Sequence, residues 1–227
     1  MARWEAESVD HLLRYYMQIF KVEIAVQFQY RVSLLIWMLD LVLRPIILLI
    51  VWQTTAGEGS IAGYDARSFA AYYFLIMLSS HFNNVWDMWE VEYYVRNGSL
   101  SGLLLRPYHV IHKHIAGNIT FKILMLVILI PALTIFALLF QPRFDAPTWA
   151  LLAFVPTMLL GAALTFISGW LVAVAIFWTT RMNAIINFYF LAFTFFSGEI
   201  APIDVLPPIL QNVAAALPFR WMMAFSV

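Results

Sequence analysis

Asp40 and Arg44 stand four residues apart with the acid first, the spacing of an intrahelical ion pair. Both lie near the middle of an apolar run, residues 32–52, where a charge is costly and marks function unless something neutralises it. Two readings stay open, mutual neutralisation at a subunit contact and separate work on a charged cargo. In the next apolar run, Ser80, His81, Asn83, Asn84, Asp87 and Glu90 would share one helix face, with Phe82, Val85, Trp86 and Trp89 on the other. A polar face at membrane depth needs water or protein partners, so it lines an inner vestibule or packs on neighbouring helices. His109 and His112 are one helical turn apart, but His114 projects from another side and no Cys or carboxylate adjoins them in sequence. That pattern points to a basic patch facing lipid phosphates or a partner protein, with no metal site.

The chain has no phosphate-binding G-x-x-x-x-G-K-[ST] loop and no recognisable serine, histidine and acid hydrolase motif. It has no cysteine, which removes disulfides, thiolate nucleophiles and thiolate metal sites. Transport by such a chain must draw on a partner or on an ion gradient. A gradient-driven carrier would use Asp40, His81 or Asp87 as proton sites, yet no inverted repeat is evident in the apolar runs. A membrane enzyme acting on lipids would rely on the histidines and Asp87.

The elements that hold these residues are set by hydrophobicity. With 63% apolar, 17% aromatic and 11% charged residues, the chain lies far from the soluble average of about 25% charged. A soluble domain of this length has nowhere to hide so much apolar surface. Five runs, residues 32–52, 69–89, 119–140, 149–178 and 182–196, approach the roughly 20 residues a helix needs to cross a bilayer. The fourth is overlong and contains Pro156 and Gly161, so a kink or an extension into water is expected. Pro45 should bend the first. Ahead of it, residues 8–30 read as an amphipathic helix in the inner interface plane. Asp10, Arg14, Gln18 and Lys21 form its polar arc, and Leu12, Leu13, Tyr16, Met17, Ile19, Phe20 and Ile24 form its apolar side, with Glu23 the exception.

A cytoplasmic N-terminus puts Arg3, Arg14, Lys21, Arg31, Arg96, Arg106, Lys113, Lys122 and Arg181 inside, against Arg67, Arg143 and Arg220 outside. That is the bias the positive-inside rule expects. After the fifth run the chain breaks at Ser197-Gly198 and passes Glu199, Pro202, Asp204 and Pro207-Pro208 into a short apolar helix that ends at Pro218. That helix, about nine residues and so roughly 14 Å long, covers half a hydrocarbon core and cannot span it. Residues 197–218 therefore read as a re-entrant outer segment, its broken backbone satisfied by protein or by a water-filled cavity. A sixth span is then expected to follow, and it has barely begun at Val227.

The loop between the second and third runs, residues 90–115, contains Arg96-Asn97-Gly98-Ser99-Leu100 and then Leu103-Leu104-Leu105-Arg106-Pro107. It resembles the "I-R-x-G-x-L … L-L-x-R-P" signature of permease subunits of bacterial type 2 ATP-binding cassette exporters, in the branch with two related permease subunits per ATPase. Phe196-Ser197-Gly198, Pro202, Pro207-Pro208 and Leu217-Pro218-Phe219-Arg220 resemble that family's "F-S-G-x-x-x-P … P … L-P-F" element. Physically, Gly98 permits a positive-φ turn after a helix ending near Arg96, and Ser99 or Ser101 can cap the short helix that follows.

The resemblance implies an all-α polytopic membrane protein of five to six spans, the whole of residues 1–227 forming one permease domain in the bacterial inner membrane. It implies that Arg96, Asn97, Gly98, Leu100, Leu104, Leu105, Arg106 and Pro107 form the coupling helix against a separate ATPase, which binds the ATP and Mg. The permease itself needs no cofactor. A second permease subunit, related or identical, would complete the pathway; lipid is a partner and nucleic acid is not. Asp40, Arg44, His81, Asn84 and Asp87 are then candidate pathway residues, and Ser197, Gly198, Glu199, Pro202, Pro207 and Pro218 the outer gate. Apolar and aromatic lining suggests an amphiphilic, lipid-like or drug-like cargo.

Overall fold

The computed structural model describes residues 2–106, 108–179 and 181–227, with side chains from Asp10 onward apart from Arg31. Pro107 of the coupling motif lies outside the described residues. Among them the chain is helical, in the order α1 (Ala2–Gln29), α2 (Arg31–Ala56), α3 (Ala66–Asn83), α4 (Asp87–Arg96), α5 (Leu100–Leu104), α6 (Val110–Phe140), α7 (Thr148–Val174), α8 (Asn183–Phe196), α9 (Pro208–Ala216) and α10 (Phe219–Met222). Three helical stretches, Val32–Ala56, Val110–Phe140 and Thr148–Phe177, are long and apolar enough to cross a membrane, and Asn183–Phe196 is a shorter apolar helix. α2 runs on through Pro45, and α7 runs on through Pro156 before tightening into a 3-10 turn at Ala175–Phe177.

The second apolar run is not one helix. α3 stops at Asn83, and the backbone is extended at Asn84 before α4 starts at Asp87. Local polarity accounts for the break. Asn83 is buried, donating to the Ser79 carbonyl at 3.0 Å and accepting from Thr165 Oγ1 at 2.7 Å. The Asn84 carbonyl turns aside to accept from Asn118 Nδ2 at 3.2 Å. A helix interruption survives in an apolar setting only when the freed groups find such partners. The expected polar face running from Ser80 to Glu90 is thereby split between two helices.

α3 is the central helix, packed on α2, α6 and α7, with Phe69, Tyr73, Ile76 and Met77 fully enclosed. In lipid, apolar burial drives helix association weakly, so close approach and hydrogen bonds carry more of it than in water. α7 fits that logic. Its buried positions, Met158, Gly161, Ala162, Thr165, Gly169 and Ala173, are mostly small and recur at helical spacing. A Cβ at Gly169 would meet Met88 and Val85, and one at Gly161 would land on the Met222 carbonyl, so these glycines let α4 and α10 lie against α7. The outward faces of α2, α6 and α7 expose Leu39, Ile47, Leu138, Leu152 and Leu160, an apolar perimeter too large for a water-facing protein.

The α2–α3 and α6–α7 loops lie at the same end of the bundle, where Arg143 pairs with Asp65 at 3.3 Å and its amide donates to the Arg67 carbonyl. α1 packs along the start of α6 at the other end. Tyr15 lies tilted against Tyr108 with ring centroids 4.3 Å apart, and Tyr16 Oη is 2.8 Å from His112 Nδ1. The packed stripe of α1 holds Tyr16, Ile19, Phe20 and Glu23, while Leu13 and Met17, expected on that side, face outward.

Candidate functional site

The chemistry-bearing residues fall into three places. The first is the α4–α6 connection. α4 ends at Arg96, the Asn97 amide caps it by donating to the Tyr93 carbonyl at 3.0 Å, and Gly98 turns at φ +70° as expected. The serines do not cap α5. Ser101 Oγ donates to the Gly98 carbonyl at 2.7 Å, and Ser99 makes no side-chain cap bond, so hydroxyls stiffen the turn while the helix N-terminus stays open. α5 has no buried residue, and Leu105 is 88% exposed beside Leu104 and Arg106. Leu100 is half-buried. Arg96 lies back on Glu92 at 3.6 Å. An apolar knob is thus held out from the bundle on a rigid turn.

The second place is the segment after α8. Gly198 adopts φ +90°, and a Cβ there would lie 2.7 Å from Tyr72 Oη and 2.9 Å from the Ala224 Cβ, so only glycine fits. Three donors from α2 and α3 hold the irregular backbone. Tyr72 Oη donates to the Gly198 carbonyl at 2.5 Å, while Trp52 Nε1 at 2.9 Å and Tyr73 Oη at 2.6 Å converge on the Ile200 carbonyl. Ser197 and Pro202 are buried, whereas Pro207 and Pro218 are exposed at the two ends of α9.

Glu199 reaches Arg44, Oε1 to Nη1 3.0 Å, while Asp40 Oδ2 lies 3.5 Å from Arg44 Nη2. The expected pair is therefore a triad, and its nearer acid is Glu199. Sequence reasoning placed Glu199 in the gate and did not join it to Arg44, because 155 residues separate them and no periodicity links such positions. Asp40 and Arg44 stay largely exposed on the bundle's perimeter, at 68% and 48%, with Glu199 tucked beneath.

The third place is a cleft of about 580 Å³ bounded by α1, α2, α4 and α6. Trp37 and Trp86 stack at its wall with centroids 4.7 Å apart and planes 19° from parallel. Below them His114 Nδ1 is 2.9 Å from Asp87 Oδ1 and 3.2 Å from Glu90 Oε2, lying between the two and aligned with neither. Lys113 Nζ bonds Tyr94 Oη at 2.8 Å and lies 3.6 Å from Glu90 and 3.9 Å from Glu23. Burial pushes the Glu23 carboxyl above its usual range, with Lys113 opposing the shift. The Tyr94 phenol is also pushed up, first by burial and then by Glu90.

His114 thus has two carboxylates beside it and is buried, which corrects the basic-patch expectation for that residue. His109 accepts from the Ile111 amide at the start of α6, and His112 bonds Tyr16. Among the described residues no three metal-ligating side chains stand in a metal-binding arrangement.

The five candidate pathway residues are not brought together. Asp40 and Arg44 join Glu199, and Asp87 lines the cleft. The Asn84 carbonyl binds α6 beside it. His81 is enclosed between α3 and α6, its Nε2 2.9 Å from the Lys122 carbonyl, which makes that nitrogen the protonated one. Lys122 itself lies well inside α6 and donates to Asn118 Oδ1.

Residues 35–226 match the model of a protein family described as ABC-2 family transporter protein. No curated protein and no solved structure matches the chain.

Proposed function

The chain belongs to the ABC-2 transporter family and is a permease component of an ABC transporter, a membrane transport element and not itself a catalyst; from this we propose that it forms one half of an ATP-driven exporter. In this reading α5 and its flanking turn dock on a separate ATPase subunit, which binds ATP and Mg. A second permease subunit completes the pathway in the bacterial inner membrane. The N-terminus lies in the cytoplasm, and residues 197–218 re-enter the outer leaflet as a gate.

One observation carries the reading. Leu104 and Leu105 stand exposed at the end of a short helix that follows a glycine-dependent turn, at the end of the bundle opposite the Asp65–Arg143 loops. An apolar knob on a rigid turn is costly in water and is what a groove in a motor subunit can grip. Movement of α5 would pass to α4 and α6, which it joins, and so to the cleft and to α7. The gate reading draws support from the three donors on the Gly198 and Ile200 carbonyls, since backbone at membrane depth must be satisfied by protein or water.

The test is ATP hydrolysis by the reconstituted complex. Gly98→Val forces a β-branched residue to φ +70°, and the double change Leu104→Asp with Leu105→Asp makes the knob polar. Both should bring hydrolysis towards the rate of the ATPase alone while the permease melts normally. Unchanged coupling in both variants refutes the assignment. Single cysteines at Ser60 and Asp204 should react with an impermeant reagent from outside, and one at Ser99 only in opened cells. The absence of native cysteine leaves no background.

A further inference from the structure

We propose that the cleft between α1, α2, α4 and α6 is a binding site for an amphipathic organic cation, its charged head against Asp87 and the Trp37–Trp86 pair and its apolar part between α1 and α2. This chain alone supplies the binding residues. Such a site deepens the permease reading by naming a cargo class, and coupling to an ATPase neither supports nor weakens it.

Three observations converge on that ligand. The first is an unpartnered charge. Asp87 is 4% exposed, and its Oδ2 has no hydrogen-bond partner, although Oδ1 lies close to His114. A buried carboxylate oxygen without a partner is expensive, so a native site retains one where something else supplies the partner. Both ring nitrogens of His114, which lines the same cleft, are buried without a hydrogen-bond partner, so the pocket floor is polar and incompletely satisfied.

The second is the sign of the charge. Glu23, Asp87 and Glu90 line the cleft, and the lining ammonium there, Lys113, is shared among Glu90, Glu23 and Tyr94. An anionic head would meet three carboxylates with that ammonium already engaged. A cationic head would meet the carboxylate that Lys113 does not reach. The third is the wall. Trp37 and Trp86 stack with one another and both line the cleft, while Tyr30, Val26 and Leu34 continue the surface between α1 and α2. Indole faces attract cations as well as apolar groups, and a volume of about 580 Å³ falls within the range of small-molecule sites. Tyr30 and Trp37 are exposed on the perimeter, so the cleft opens where an amphiphile dissolved in the bilayer can enter sideways.

The probe is tetraphenylphosphonium, with tetraphenylborate as a control of like shape and opposite charge. Binding to the permease in lipid nanodiscs is measured by equilibrium dialysis, with empty nanodiscs subtracted. Saturable binding of the phosphonium, and none displaced by the borate, is expected. Asp87→Asn should weaken it roughly 10- to 100-fold, as for loss of the charge–charge attraction in a site of low dielectric, since the phosphonium has no hydrogen-bond donor. Trp37→Ala, on the exposed side of the cleft, should weaken it several-fold and guards against an Asp87 variant that fails to fold. Equal binding of both ions overturns the proposal. So does phosphonium binding within about twofold of the parent in Trp37→Ala, or in an Asp87→Asn protein that melts normally.

Discussion

The segment after α8 depends on three side-chain donors, and their arrangement gives an unequal set of expected costs. The Gly198 carbonyl has one donor, Tyr72 Oη at 2.5 Å, whereas the Ile200 carbonyl has two, Trp52 Nε1 at 2.9 Å and Tyr73 Oη at 2.6 Å. Tyr72→Phe keeps the ring and leaves a buried carbonyl with nothing to accept from, at about 1–3 kcal/mol. Tyr73→Phe leaves the Ile200 carbonyl satisfied by Trp52, so only the net value of one bond goes, about 0.5–1 kcal/mol. Trp52→Phe costs the same bond plus indole packing on Phe69. Removing both Ile200 donors should exceed the sum of the single changes by about 1 kcal/mol or more, because only then is that carbonyl orphaned.

Ala201, 3% exposed and next to Ile200, is a suitable reporter in a chain without cysteine. In an Ala201→Cys parent, the thiol-labelling rate follows the population of the opened segment. Tyr72→Phe should then label roughly 5- to 150-fold faster and Tyr73→Phe only about 2- to 5-fold faster. Two results would refute the reasoning: a Tyr72→Phe rate within about twofold of the parent, or strict additivity of Trp52→Phe and Tyr73→Phe.

Glu199→Gln should destabilise the protein more than Asp40→Asn, since Glu199 is nearer to Arg44 and more enclosed; thermal melting in nanodiscs checks the order. The double change Asp40→Asn with Arg44→Gln should not restore stability, because it strands the Glu199 carboxylate, whereas adding Glu199→Gln should restore it. Glu23 carries a raised folded pKa, so its burial lowers stability as pH climbs through and above the ordinary value of 4.5. Glu23→Gln should therefore melt above the parent at pH 7, with the gap closing below about pH 4.5; a gap of constant size argues against the burial cause.

Much of the architecture was legible because apolar run length is a local property. α2, α6 and α7 follow from it directly, and the Gly98 turn follows from residue type. The break after Asn83 was not legible, since a polar stretch reads equally well as a helix face until Thr165 and Asn118, far along the chain, are seen to take up its groups. The Arg44–Glu199 pair was hidden for the same reason. Glu23 was visible as the one acid spoiling the amphipathic pattern of α1, and that irregularity was itself the signal, for it is the acid that faces Lys113 and the cleft.

With 13 acids and 13 bases among 227 residues, a charge set against its local pattern must find its counterpart elsewhere in the fold. Arg44 finds Glu199, and Lys113 finds Glu23 and Glu90. Asp87 has His114 Nδ1 close to one of its oxygens and no partner for the other. That remainder, in a cleft whose ammonium is already shared, leaves Asp87 the carboxylate that a bound cation would neutralise.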